Sequence, residues 1–257
     1  MKIALKVAYF GDNFAGSQYQ PDARTVEGEL LKALKNFKVE DLKIASRTDA
    51  GVHAYGQVVA FDCNDLVTPR MLNSFLPEDV TAWAWAKVDE KFNPKKAKSR
   101  TYLYVTIAKN LKTSEMKKAA EILIGTHDFS NFTKKFGEGK SCVRTIYSAD
   151  VKSDGESILF EIEGNAFTWN MVRCLVTALL EVGSGRKNLS WFEDLLNLKR
   201  RERVEPVPAY GLILKDVKYD GVEFEVDNYA FETLKKRLEK RVFRAGVEYK
   251  LFSYFIK

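Results

Sequence analysis

Near the start of the chain, apolar Ile3, Leu5, Val7 and Tyr9 alternate with Lys2, Ala4, Lys6 and Ala8. That two-residue period predicts a strand buried on one face. A loop from Gly11 to Ala23 follows, and Val26, Leu30, Leu34 and Phe37 then recur at helical spacing. Gln57 to Cys63 reads as a second strand, and Thr68-Pro69 opens a helix toward Leu76 with proline at its first position. Thr81 to Val88 is apolar enough for a strand, and Thr101, Leu103, Val105 and Ile107 alternate with Tyr102, Tyr104 and Thr106 in another. Met116, Ala119, Ala120 and Leu123 mark a helix that Gly125 is placed to stop. Val143 to Lys152 and Ser157 to Glu163 read as strands around a turn at Asp154-Gly155. A long apolar helix is expected over Phe167 to Val182, and Ser190-Trp191-Phe192-Glu193 has the pattern of a capping box opening the next helix. Leu212 to Tyr219 reads as a strand and Tyr229 to Arg244 as a basic helix.

Strands and helices mix without regular βαβ spacing, which predicts an α+β fold with largely antiparallel sheet. Lys109-Asn110-Leu111-Lys112 interrupts the pattern, so the expected division is an N-terminal domain over 1–109 and a C-terminal domain over 110–257 that ends in a basic tail. The chain has 257 residues, 46% hydrophobic and 30% charged, an ordinary globular balance that excludes disordered and fibrous classes. No stretch approaches the ~18 uninterrupted apolar residues of a membrane span, and the start of the sequence lacks a secretory pattern. A cytoplasmic protein with no membrane contact is expected. The net charge of +6 permits a polyanionic partner without requiring one.

Cys63, Cys142 and Cys174 lie far apart, and His53 and His127 are the only imidazoles. Neither a metal site nor a disulfide framework is expected. Phosphate-cradling glycine motifs are also absent.

The densest polar cluster is Ser46-Arg47-Thr48-Asp49-Ala50-Gly51-Val52-His53-Ala54. Small Ala50 and Gly51 would let a bulky ligand approach Asp49. A polar turn in which Asp49 bonds its own backbone explains the composition equally well. His53 could act as a general base, although a structural hydrogen-bonding role is the commoner one for such a residue. Arg173 is the only charged residue between Asn165 and Leu180, on a helix apolar around nearly its whole circumference. Such a helix is buried, and a buried guanidinium needs an anionic partner unless it snorkels to the surface beside Glu181. Tyr102 and Tyr104 share a strand face next to Ser99-Arg100, an arrangement that suits either base stacking or a plain core. Basic clusters at Lys95-Lys96-Ala97-Lys98, Lys134-Lys135, Lys199-Arg200-Arg201 and Lys235-Lys236-Arg237 are ordinarily solvated faces, yet together are compatible with phosphate binding.

Taken together, these segments resemble the TruA family of tRNA pseudouridine synthases. Arg47-Thr48-Asp49-Ala50-Gly51-Val52-His53-Ala54 matches that family's R-T-D-x-G-V-H-A signature. Tyr9 to Gly16 with Gln20 resembles its N-terminal segment, Arg100-Thr101-Tyr102-Leu103-Tyr104 its R-x-Y-x-Y strand, and Gly125-Thr126-His127-Asp128-Phe129 its G-x-H-D-F segment. Ala166-Phe167 with Met171-Val172-Arg173 matches A-F-x-x-x-M-V-R, and Gly211-Leu212-Ile213-Leu214 matches a late G-L-x-L strand. The likeness covers roughly residues 1–219. Ser17 departs from it, standing where the family commonly has an aromatic residue, and the tail from Asp220 onward matches none of its motifs.

The resemblance implies two ferredoxin-like halves joined around a central cleft, in a homodimer. It implies isomerisation of uridine to pseudouridine in the anticodon stem-loop of tRNA, at positions 38 to 40, without cofactor or metal. Asp49 would be the nucleophile, Arg173 its ion-pair partner and Tyr102 the ring packed against the target base, with Arg47, His53 and Leu212 also at the substrate. Those residue types suit the chemistry. The glycosidic bond breaks, the base turns, and C5 rejoins C1′, a sequence that a carboxylate can serve by forming an adduct or by stabilising charge. A non-catalytic RNA-binding protein would have no need of a carboxylate paired with arginine, and a metal-dependent nuclease lacks a ligand cluster.

Overall fold

The computed structural model describes residues 1–134 and 141–256. Lys135, half of one expected basic cluster, lies outside them. In chain order the elements are β1 (Lys2–Tyr9), α1 (Val26–Leu34), β2 (Val39–Ile44), β3 (His53–Cys63), α2 (Pro69–Asn73), β4 (Val80–Val88), β5 (Ser99–Ile107), α3 (Thr113–Ile122), β6 (Gly125–Asp128), β7 (Val143–Asp154), β8 (Ser157–Gly164), α4 (Met171–Gly183), α5 (Leu189–Leu196), β9 (Leu212–Lys218), β10 (Glu225–Val226) and α6 (Asn228–Ser253). The fold is α+β with one large, mostly antiparallel sheet, as the pattern predicts.

Ten strands form that sheet in the order β10-β4-β1-β3-β9-β5-β8-β7-β6, with β2 branching off β3. The one parallel pairing among these strands joins β3 to β9 at mid-sheet, with His53 opposite Ile213 and Ala54 opposite Leu214. The start of β3, just after the Asp49 loop, therefore lies beside the start of β9. Chain segments cross the division expected after residue 109 in both directions. β5 pairs with β8 and β9, while β10 pairs with β4 and α6 packs over β4.

Burial explains most elements. β1 hides all but one of its residues, and α1 turns Val26, Leu30, Ala33 and Leu34 inward behind its Thr25 cap, whose side chain accepts from the Gly28 amide. Thr68 caps α2 in the same way, with Pro69 at the first helical position. Other boundaries differ from expectation. β2 escapes the sequence pattern because its apolar Val39, Leu42 and Ile44 are irregularly spaced, the strand being broken by Asp41 at φ 53°. α4 begins at Met171 instead of Phe167, because Asn170 takes a left-handed φ of 63° and Phe167 to Trp169 run as a separate segment before the helix. α5 is capped by Asn188, which accepts from the Trp191 amide at 2.9 Å, so the expected box at Ser190 lies inside the helix. α6 runs on to Ser253, well past Arg244.

Candidate active site

The Asp49 loop joins β2 to β3 and is fixed from beneath by buried polar groups. The Tyr9 hydroxyl meets Thr48 Oγ1 at 2.7 Å, and the Gln57 side-chain amide donates to the Ser46 carbonyl at 2.8 Å while accepting from the Ser46 amide at 3.1 Å. Ser17, 1% exposed, accepts from the Thr48 amide through Oγ at 2.8 Å and donates to the Thr48 carbonyl through its own amide. Ser17 is thus a buried brace for the loop and not a surface contact. Gly11 permits the close approach, since a Cβ there would stand 2.2 Å from the Val52 carbonyl oxygen. Gly51 takes φ +81° to turn the chain after Asp49. Burial pushes the Tyr9 phenol up to about 12, so it stays neutral and serves as a hydrogen-bonding post.

Across the cleft, α4 carries Arg173 with its side chain 16% exposed. Its Nη1 lies 3.3 Å from Asp49 Oδ2 and donates to Asn170 Oδ1 at 3.0 Å, and Nε donates to the Val207 carbonyl at 2.7 Å. The pair therefore joins residues 124 apart in sequence, and Arg173 does not snorkel to Glu181. Contact with Asp49 runs through one guanidinium nitrogen and is not a two-pronged fork. Nη1 also serves Asn170 and Nε serves Val207, which aims the group.

Asp49 and Arg173 open on a cleft of about 1100 Å³, which Arg47, Tyr102 and Leu212 also line. Tyr102 is 7% exposed and packs edge-on against Phe167, ring centres 5.1 Å apart; burial raises its phenol well above the ordinary value. Arg47 is exposed at the cleft rim. His53 does not line this cleft. It accepts from the Gly11 amide through Nδ1 at 2.9 Å and borders a separate pocket of about 210 Å³ beneath α6. Burial lowers its pKa. The structural hydrogen-bonding role is the one the geometry gives it.

Among the described residues, the cleft lining holds five cations, Arg47, Arg100, Lys134, Arg144 and Arg173, and one carboxylate, that of Asp49. Such a lining favours a polyanion. Arg100, 9% exposed, has no acidic partner among the described residues; it donates to the carbonyls of Asn165 and Lys95 at 2.6 Å each and reaches Ser46 Oγ at 3.3 Å. It ties the Asp49 loop to the segment leading into α4. Among the described residues of the expected basic clusters, Lys134 alone reaches the cleft; Lys98, Arg200 and Lys235 pair with Asp220, Glu202 and Glu232 at the surface. Charge runs in the sequence therefore missed the cationic lining, which is assembled from isolated arginines. Arg144, Thr168 and Trp169 also escaped the sequence reading; the one available signal was an aromatic beside the small and polar residues preceding α4. Among the described residues no group of three His, Cys, Asp or Glu gathers as metal ligands, and no helix is long and apolar enough to cross a membrane.

A family model described as tRNA pseudouridine synthase matches residues 119–220. The protein named tRNA pseudouridine synthase A of Archaeoglobus fulgidus is 64% identical, over 99% of this chain and 97% of its own. Those of the same name from Methanosarcina acetivorans and Pyrococcus abyssi are 44% and 39% identical, over 96% and 94% of this chain and 96% and 93% of theirs. The Asp49 signature and the Arg173 helix, far apart in sequence and joined in space, thus sit in a chain that belongs to the TruA family of tRNA pseudouridine synthases.

Proposed function

We propose that this chain isomerises uridine to pseudouridine in the anticodon stem-loop of tRNA, at positions 38 to 40, with Asp49 as nucleophile and without a cofactor. The observation that carries the reading is one carboxylate held by one arginine in a cleft whose other charged lining residues, among the described ones, are all cations. The cations receive the phosphates. The target base leaves its stack, at a cost of a few kcal/mol that contacts inside the pocket offset. Tyr102 packs on it and Leu212 closes the pocket beneath. Asp49 then assists breakage of the N1–C1′ bond, and any bond it forms to the substrate breaks again as the product forms, so the carboxylate is regenerated. The base turns, C5 bonds to C1′, the C5 hydrogen leaves as a proton and N1 gains one, so the reaction balances without oxidant or reductant. Arg173 orients the carboxylate through its Nη1–H bond to Oδ2. Arg47 stands at the rim, where an entering backbone passes, and His53 supports substrate binding from behind the loop through Gly11.

The parts of the sheet on either side of the β3–β9 junction are read as the two ferredoxin-like halves, in a cytoplasmic enzyme. A homodimer is part of the same reading. Supporting it, the far end of α6 and the residues after it expose Phe243, Val247, Leu251, Phe252 and Phe255, each more than half accessible. A segment so apolar is normally covered. Sedimentation should show a dimer that Phe243→Asp with Phe255→Asp converts to monomer.

Asp49→Asn tests the catalytic assignment by keeping shape and removing charge. Turnover should vanish while stem-loop RNA still binds; turnover within tenfold of the unmodified enzyme would refute the nucleophile.

A further inference from the structure

Two buried side-chain polar atoms among the described residues lack any hydrogen-bond partner, Arg144 Nε and Thr168 Oγ1. Both residues line the same cleft. Orphaned buried polar atoms are rare and costly, so their coincidence on one wall needs a reason. Beside Thr168 stands Trp169, half exposed although its neighbours Phe167 and Thr168 are mostly buried, and it also borders the cleft. Its carbonyl accepts from Thr133 Oγ1 at 3.0 Å and from the Lys134 amide at 3.2 Å, which pins the segment, while Lys134 Nζ lies 4.7 Å from the indole centre. The wall thus presents a fixed aromatic face, two cations and a hydroxyl with unmet bonding capacity.

We propose that Trp169, Lys134, Arg144 and Thr168 form a second ribonucleotide subsite, which holds a nucleotide adjoining the target uridine. This deepens the tRNA reading given above and rests on it. The indole stacks on the base, a contact open to any base because each has a π-face. Lys134 and Arg144 take the flanking phosphates, and Thr168 takes a sugar hydroxyl or phosphate oxygen. None of these side chains touches the reacting atoms. Their task is to hold the strand so that the neighbouring uridine stays out of its stack at Asp49.

Of the four tryptophans in the sequence, this one reports on the subsite directly. Unmodified anticodon stem-loop RNA is titrated into Asp49→Asn enzyme, so that no conversion occurs, with tryptophan emission and the anisotropy of labelled RNA followed together. Emission should be quenched on binding, and the quench should disappear when Trp169→Phe is added while binding persists. In the otherwise unmodified enzyme, Trp169→Ala should raise KM about tenfold or more, the scale of one base–aromatic stack, with the loss falling mainly on KM, and Trp169→Phe should return most of it. Arg144→Gln should lower the slope of log affinity against log salt by about one. A full quench in Trp169→Phe, or Trp169→Ala with ordinary KM, overturns the subsite while leaving the isomerase reading intact. Enzyme that converts no uridine yet still loses its quench in Trp169→Phe overturns the isomerase reading instead.

Discussion

Around Asp49 the buried polar groups meet one another: Tyr9 with Thr48, Gln57 with Ser46 on both sides, Ser17 with Thr48. Across the cleft, Thr168 Oγ1 and Arg144 Nε find no partner among the described residues, and Trp169 stands half exposed. The first wall is complete before substrate arrives, as a group that must act at one atom requires. The second is left to be completed by the strand it receives. Arg173 connects them, since its guanidinium holds Asp49 while Asn170, one residue after Trp169, helps to aim it.

Breaking the link between the walls should have the largest effect. Arg173→Met leaves a carboxylate unpaired in a partly dry pocket, and single-turnover rates should fall on the order of a hundredfold or more. Arg173→Lys should recover only part, because an ammonium cannot serve Asp49, Asn170 and the Val207 carbonyl together. A near-normal rate for Arg173→Met would separate the walls energetically.

Salt should act on the receiving wall. With five cleft cations, stem-loop affinity should drop on the order of a hundredfold between about 50 and 200 mM salt, while single-turnover rates at saturating RNA change little. A flat affinity would remove the polyanion reading.

The two walls should respond oppositely to loss of a polar group. Gln57→Leu strands the Ser46 amide and carbonyl, and denaturant unfolding should show about 1–3 kcal/mol of lost stability. Thr168→Val removes a hydroxyl that has no partner among the described residues, so the free enzyme should be unchanged or up to about 1 kcal/mol more stable, while RNA binds more weakly. The same sign in both variants would abolish the distinction.

The smallest effect is expected at His53. Its pKa is lowered by burial, so below the unfolded value of 6.5 the unfolded chain binds more protons than the folded one. Stability should then fall as pH drops below about 6.5 and be unaffected by this group above it. His53→Asn, which keeps an acceptor for the Gly11 amide, should flatten that fall in pH-dependent unfolding.

Much of this was legible in the sequence because burial writes a period. β8 and the Arg173 helix are readable from apolar spacing, and the charge of Arg173 stood out against that helix. β1 and β5 were recognised as strands but not by their buried face: β1 is buried on both faces instead of the expected one, and β5 buries Arg100, Tyr102 and Tyr104 while its aliphatic Val105 and Ile107 are exposed. Asp49 was legible through its flanking signature. β2 was not, because its irregularly spaced Val39, Leu42 and Ile44, broken by a left-handed Asp41, leave no period to read. The cationic lining was hidden for a different reason: Arg47, Arg100, Arg144 and Arg173 are single residues on separate elements, so only the folded sheet gathers them. The runs of lysine and arginine that did stand out mostly lie at the surface, where Lys98, Arg200 and Lys235 have acidic partners.

The central claim is tested most directly by incubating the enzyme with an unmodified tRNA anticodon stem-loop in excess EDTA and mapping pseudouridine along the product. The account predicts conversion of uridine at one or more of positions 38, 39 and 40, undiminished by the chelator. RNA that binds and is recovered with every uridine intact, or conversion that requires added metal, would contradict it.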